Sequence, residues 1–204
     1  MRSICTVKGH NFMKLPILLA SLLFGSSLSS TNTTFNASKF PTGSKKRIPT
    51  VDGKILPVGT VYLVIDKSDY ELNVYDDKGW FATYPVVFGN SSLADKKMEG
   101  DRCTPEGSFH IASKKVHDKW DRFIALDYPT KDSYEKFRER KERGEIPNNA
   151  RIGGGVGIHG TWPNDDYIID RYKNWTNGCI SMKNKDVEDL YSYLPVGTAV
   201  TIRK

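Results

Sequence analysis

Two segments near the C-terminal end carry residue types capable of covalent chemistry: Gly157-Ile158-His159-Gly160-Thr161 and Thr176-Asn177-Gly178-Cys179-Ile180-Ser181. Cys179 is the candidate nucleophile. A thiol needs a neighbouring base to become reactive near neutral pH, and His159 can supply one and later return the proton. Gly178 permits a sharp turn before the cysteine. The N–H groups of Asn177, Gly178 and Cys179 can then converge on one point and stabilise an oxyanion. Gly160 lets another backbone segment approach the imidazole, so that a carbonyl can orient the ring through its second nitrogen. On these residues alone, a buried cysteine beside a structural histidine is the simpler reading. Cys-x-x-Cys and paired-histidine spacings are missing, which disfavours a metal site. His110 and His117 stand apart from the pair.

The elements that must hold these segments are mostly short strands. Thr60 to Asp66, Glu71 to Tyr75, Trp80 to Phe88, Gly107 to Ala112, Phe123 to Leu126 and Ala199 to Ile202 are β-branched, aromatic or alternating, and turn residues separate them. Ile152 to His159 is glycine-rich and ends on the histidine. Ser133 to Arg143 reads as a helix that stops at Gly144, with mixed charges that suit a solvated surface. A second helix, Lys185 to Leu194, follows Asn184 as N-cap and carries Val187, Leu190, Tyr191 and Leu194 on one face. The pattern predicts a β-rich α+β domain.

With 204 residues, the chain suits one domain plus a leader. Lys14, the apolar run Leu15 to Phe24 and the small residues Ser26 to Ser30 read as a secretory signal over residues 1–30, with Met13 an alternative start. Residues 31–57 are rich in Thr, Asn, Ser and Lys and read as a flexible linker; the catalytic unit is expected over 58–204. The net charge of +6 falls to +3 once Arg2, Lys8 and Lys14 leave with the leader. A basic stripe with interleaved aromatics is missing, so a nucleic-acid partner is not expected. Cys5 leaves with the leader. Cys103 and Cys179 remain, and the catalytic alternative for Cys179 weighs against a bridge between them.

These motifs resemble the signature of the L,D-transpeptidase catalytic-domain (YkuD-like) family. Ile158-His159-Gly160 is followed by a loop, then Thr176-Asn177-Gly178-Cys179-Ile180-Ser181, then Asn184 and a helix. Thr104-Pro105-Glu106-Gly107 matches the family's upstream loop, and the resemblance covers roughly 59–203. Asn174-Trp175-Thr176 and Tyr128-Pro129 look like the family's Gram-negative branch. Two positions depart from many relatives: Asn177 stands where they carry His, and Ser181 where they carry Arg or Asn.

The resemblance implies a sandwich-like or barrel-like sheet with a few flanking helices; the N-terminal signal implies export to the periplasm or cell wall. The resemblance also implies a peptidoglycan-acting cysteine transpeptidase. Cys179 would attack the carbonyl between the third residue and D-Ala of a stem peptide, with His159 as base and the Gly160 carbonyl orienting it. An amine would then take the acyl group, giving a 3→3 crosslink or protein attachment. The alternatives are a hydrolase releasing D-Ala or a wall-linked lipoprotein, and a non-catalytic wall-binding module. Implied partners are stem peptides, wall-attached lipoprotein and carbapenems as covalent inhibitors; no metal or organic cofactor is required. Arg151 is a candidate for pairing with a stem carboxylate, and Trp162 and Tyr167 for walling the substrate groove. Thr176 and Ser181 flank the nucleophile as further binding candidates.

Overall fold

The structure is a computed structural model and describes residues 43–47 and 56–204. Alternation fixes which side of each strand is buried. In β2 (Tyr62–Asp66) and β3 (Glu71–Asp76), Leu63, Ile65, Leu72 and Val74 point inward and are fully buried. The two strands form an antiparallel hairpin. β4 (Gly79–Pro85) extends it, and the short β1 (Lys45–Lys46) covers the outer edge of β4. On the other side of β2 lie β9 (Ala199–Arg203), β5 (Gly107–His117), β6 (Asp121–Leu126), β7 (Gly157–His159) and β8 (Ile180–Ser181). The sheet order is β1-β4-β3-β2-β9-β5-β6-β7-β8.

β5 joins the two halves of this sheet. Its start pairs with β9 and its remainder with β6, with a register shift between Ile111 and Ser113. Such an irregularity bends a strand. The far ends then meet. Val87, just past β4, exchanges two backbone hydrogen bonds of 2.8 Å with Ser181 in β8. The resulting closure is the barrel-like feature expected, and it buries the edge beside Cys179. β4 itself ends at Pro85, which has no N–H to offer the ladder.

Among the described residues, three helices flank the sheet: α1 (Lys131–Glu142), α2 (Tyr167–Asp170) and α3 (Asn184–Tyr193). α3 buries Val187 and Leu190 in the core. α1 buries no residue, as its mixed charges predict. Thr130 caps its N-terminus, and Gly144, at φ +69°, follows its end. Its Arg140 reaches down to the Asp95 carboxylate and the Lys96 carbonyl, both at 2.6 Å, and anchors the loop that precedes β5.

Three sequence expectations change. Within the expected linker, residues 43–47 are folded onto the domain: Lys46 pairs with Asp189 at 2.8 Å, Ser44 donates to Asp186, and Arg47 grips Asp76 with two bonds of 2.9 and 3.1 Å. Polar composition could not reveal acidic partners this far along the chain. The signal peptide at 1–30 and linker residues 31–42 and 48–55 lie outside the described residues. Asn184 is the first residue of α3 rather than its cap, because its side chain is used elsewhere. Of the glycine-rich stretch 152–159, only Gly157–His159 is strand.

Candidate active site

The parallel pairing of β7 and β8 sets Ile158 beside Ile180 and His159 beside Ser181. Extended by one residue, that register sets Cys179 beside Gly157. Cys179 and His159 then lie two positions apart on one face of the sheet. The Gly157 amide donates to the Cys179 sulfur, and the thiol lies 3.6 Å from the Gly155 carbonyl. Glycine is required at 157, since a Cβ would sit 2.7 Å from both the Ile124 carbonyl oxygen and the Phe123 ring.

The turn before Cys179 is built by a side chain of its own. Thr176 Oγ1 donates to the Cys179 carbonyl at 2.6 Å and accepts from the Gly178 N–H at 3.2 Å. Thr176 therefore shapes the turn and is not free for substrate. The same bond removes the Gly178 N–H from the expected oxyanion donors. The Asn177 and Cys179 N–H groups remain; neither has a hydrogen-bond partner among the described residues. Gly178 itself sits at φ +132°, and a Cβ there would lie 2.8 Å from the Cys103 carbonyl oxygen. Gly178→Ala should therefore cost about 2 kcal/mol or more of stability through strain and clash. It should lower turnover about 100-fold by displacing the sulfur. A thermal melt and the alkylation rate of Cys179 check both effects; an unshifted melting point with normal alkylation would contradict this account of the turn.

His159 is 1% exposed. Its Nδ1 lies 2.7 Å from the Gly160 carbonyl oxygen. A carbonyl can only accept, so Nδ1 carries the proton and Nε2 is left with its lone pair available to accept one. Ser181 Oγ donates to the same carbonyl at 3.2 Å. Ser181 is thus buried and committed to the same carbonyl that orients His159. The ring is held on its faces as well: Trp120 stacks on it at 4.6 Å, Phe123 lies parallel at 6.1 Å, and Trp175 meets it edge-on at 5.6 Å. Trp175 is a wall of the site. His117 stacks on the outer face of Trp120. Burial holds the His159 pKa down at about 4, opposed by the Gly160 bond and aided by the charge of His117. Burial pushes the Cys179 thiol up, against the Gly157 bond and the Lys96 charge. The resting pair is therefore a neutral thiol and a neutral imidazole.

A further layer supports the histidine loop. Asn184 Oδ1 accepts from the Thr161 N–H at 2.9 Å, and Asp166 Oδ1 accepts from both Thr161 Oγ1 and the Asn184 N–H. This network occupies the space beside Gly160, where a Cβ would lie 2.2 Å from Asn184 Oδ1. On the nucleophile side, the fully buried Lys67 pairs with Glu106 at 2.7 Å and donates to the Thr104 carbonyl. It thereby holds the Thr104–Gly107 loop, whose neighbour Cys103 touches Gly178.

Cys179 opens into a cleft of about 470 Å³ whose walls include Lys96, Glu99, Arg102, Gly154 and Asn177. Arg151 is not on that wall: its side chain is 80% exposed and pairs with Glu99 at 2.7 Å. Trp162 and Tyr167 are exposed and also lie off the cleft. Trp162 meets Trp120 edge-on, and Tyr167 lies under Arg171. The loop between histidine and cysteine thus supports the back of the site. Lys96, Glu99, Arg102 and the Trp120 stack escape a reading of the motif, because they arrive from distant strands and loops. The Gly153-Gly154-Gly155 run is the one local signal of a backbone-lined wall. Cys103 is buried and free.

A closed mixed sheet sets Cys179 immediately before one strand and a carbonyl-oriented His159 at the end of its parallel neighbour. The chain belongs to the YkuD family, described as the L,D-transpeptidase catalytic domain; residues 60–202 match it. It is 28% identical over 156 residues to the Bacillus subtilis protein YqjB, provisionally named an L,D-transpeptidase. The match covers 71% of this chain and 72% of that one. Among solved structures, the helical cell shape determining protein Pgp2 of Campylobacter jejuni has a TM-score of 0.50 at 24% identity, over 74% of this chain and 51% of that one. Bd1075 of Bdellovibrio bacteriovorus has 0.49 at 20%, over 71% and 48%. The chain spans about half the length of these two structures.

Proposed function

We propose that the protein is an L,D-transpeptidase acting on peptidoglycan stem peptides, with Cys179 as nucleophile. The observation that carries this is the Cys179–His159 arrangement: thiol and imidazole on one sheet face, with Nδ1–H committed to Gly160 and Nε2 without a hydrogen-bond partner among the described residues. Cys179 sulfur attacks the carbonyl joining the third residue to D-Ala, and Nε2 takes the thiol proton as the C–S bond forms. The Asn177 and Cys179 N–H groups face the developing oxyanion. The imidazolium gives its proton to the departing D-Ala nitrogen, leaving a thioester. An incoming amine attacks that thioester; its proton passes through Nε2 to the sulfur, which restores the thiol.

Of the two positions that depart from many relatives, Asn177 lies on the cleft and Ser181 is spent on the Gly160 carbonyl. Export to the periplasm rests on residues 1–30, membership of the Gram-negative branch on the Asn174–Ile180 motif, and the lipoprotein substrate and carbapenem sensitivity on the resemblance. Mass spectrometry of muropeptides incubated with the protein tests the reaction. Loss of D-Ala with new 3→3 dimers is expected. Tripeptides or freed lipoprotein without dimers would mean hydrolysis, and unchanged muropeptides would overturn the reading.

A further inference from the structure

The cleft that holds Cys179 has three charged side chains on its walls, and they are not equally matched. Lys96 is buried, and its ammonium is met by Asp101 at 2.8 Å and the Met98 carbonyl at 3.0 Å. Glu99 is met by Arg151. Arg102 is exposed, and its guanidinium has no ion pair or hydrogen bond among the described residues. One positive charge beside the nucleophile is therefore left uncompensated.

The backbone of Arg102 makes the same point independently. It lies at φ +56°, a region that glycine enters freely and a side-chain-bearing residue enters with strain. The conformation is imposed from both sides. The Arg102 carbonyl packs so tightly on Gly89 that a Cβ there would lie 2.1 Å from its oxygen. Next to it, the Asp101 carboxylate collects the N–H groups of Lys97, Met98 and Cys103. Glycine would suit this position better as backbone, so the arginine side chain is what the strain supports. Strain held at a binding wall points to a role in recognition.

A guanidinium presents paired donors that match a carboxylate with two parallel bonds. We propose that Arg102 is a specificity-determining residue of the cleft, gripping a free carboxylate of the acyl-donor stem peptide, so that acidic stems are taken over amidated ones. This rests on the acyl-donor reading of Cys179.

Two measurements separate the inference from that reading. The first uses tetrapeptide stems amidated one carboxylate at a time: at the second residue, at the third-residue side chain, or at the C-terminus. Wild type should lose about 10- to 100-fold in kcat/KM on one of them, chiefly through KM, as expected for a lost charge-assisted hydrogen bond. That selectivity should vanish in Arg102→Met and persist in part in Arg102→Lys. Arg102→Gly should lose it too while melting higher than wild type, because the strain is relieved. The second compares alkylation of Cys179 by iodoacetate and by iodoacetamide, and needs no stem peptide. The iodoacetate-to-iodoacetamide rate ratio should fall about fivefold in Arg102→Met at low salt. Selectivity equal to wild type in Arg102→Met, or an unchanged ratio, would overturn the inference. If no stem is turned over at all, the transpeptidase reading fails and the alkylation ratio alone decides the role of Arg102.

Discussion

Cys179→Ala should abolish turnover, a loss of about four to six orders of magnitude, while the protein still folds. Removing a covalent nucleophile leaves only the binding and oxyanion contributions, which by themselves do little. The substitution trims one atom from a partly exposed side chain, so the stability change should stay within about 1 kcal/mol. Cys103→Ala is the matched control. That sulfur is buried against Ser92 and Asp101, 3.6 Å from each, and only the backbone of Cys103 touches the nucleophile turn. Its loss should lower the melting point by a few degrees, from about 1 kcal/mol of lost packing, and leave turnover near wild type. Turnover by the Cys179 variant together with a dead Cys103 variant would reverse the assignment.

His159→Gln should cut turnover about 10²- to 10⁴-fold, because the glutamine amide can hold the Gly160 carbonyl but cannot accept the thiol proton. Alkylation of Cys179 near neutral pH should slow, and its profile should move to higher pH, since the raised thiol no longer has a base beside it. A second consequence does not depend on substrate. The histidine is held near pKa 4 in the folded protein, against an ordinary 6.5. Its folded pKa is depressed, so between those values the unfolded chain binds the proton more readily. Stability is complete above pH 6.5 and is lost as pH falls toward 4, by about 3 kcal/mol for a shift of this size. His159→Gln should flatten that part of the stability–pH curve, measured by urea unfolding at successive pH values. The same slope in both proteins would show that the imidazole is not buried neutral, and an unchanged alkylation profile would show that it does not serve the thiol.

How far the sequence revealed this site depends on the range of each interaction. The strands were legible because Leu63, Ile65, Leu72, Val74, Val200 and Ile202 alternate locally and all face the core. Cys179, His159, Gly160 and Gly178 were legible because their chemistry and turn geometry sit within short segments. The roles of Thr176 and Ser181 were not, since either hydroxyl can face substrate or backbone until β7 and β8 are set in register. Trp120 was silent for a related reason: it lies in the turn before β6, and only the β6–β7 pairing brings that turn to the imidazole. Arg151 and Arg102 show the limit most clearly. Both are basic residues near a motif. Glu99, from a distant loop, neutralises the first, and a clamped backbone turns the second into the cleft wall.

In the proposed mechanism the sulfur of Cys179 carries the acyl group. Intact-protein mass spectrometry after rapid acid quenching of the enzyme with a tetrapeptide stem, followed by peptide mapping, reads that adduct. The expected result is a transient mass increase equal to the stem without its terminal D-Ala, mapped to Cys179 and absent from Cys179→Ala. D-Ala release with no adduct on Cys179, or an adduct mapped to Cys103, would contradict it.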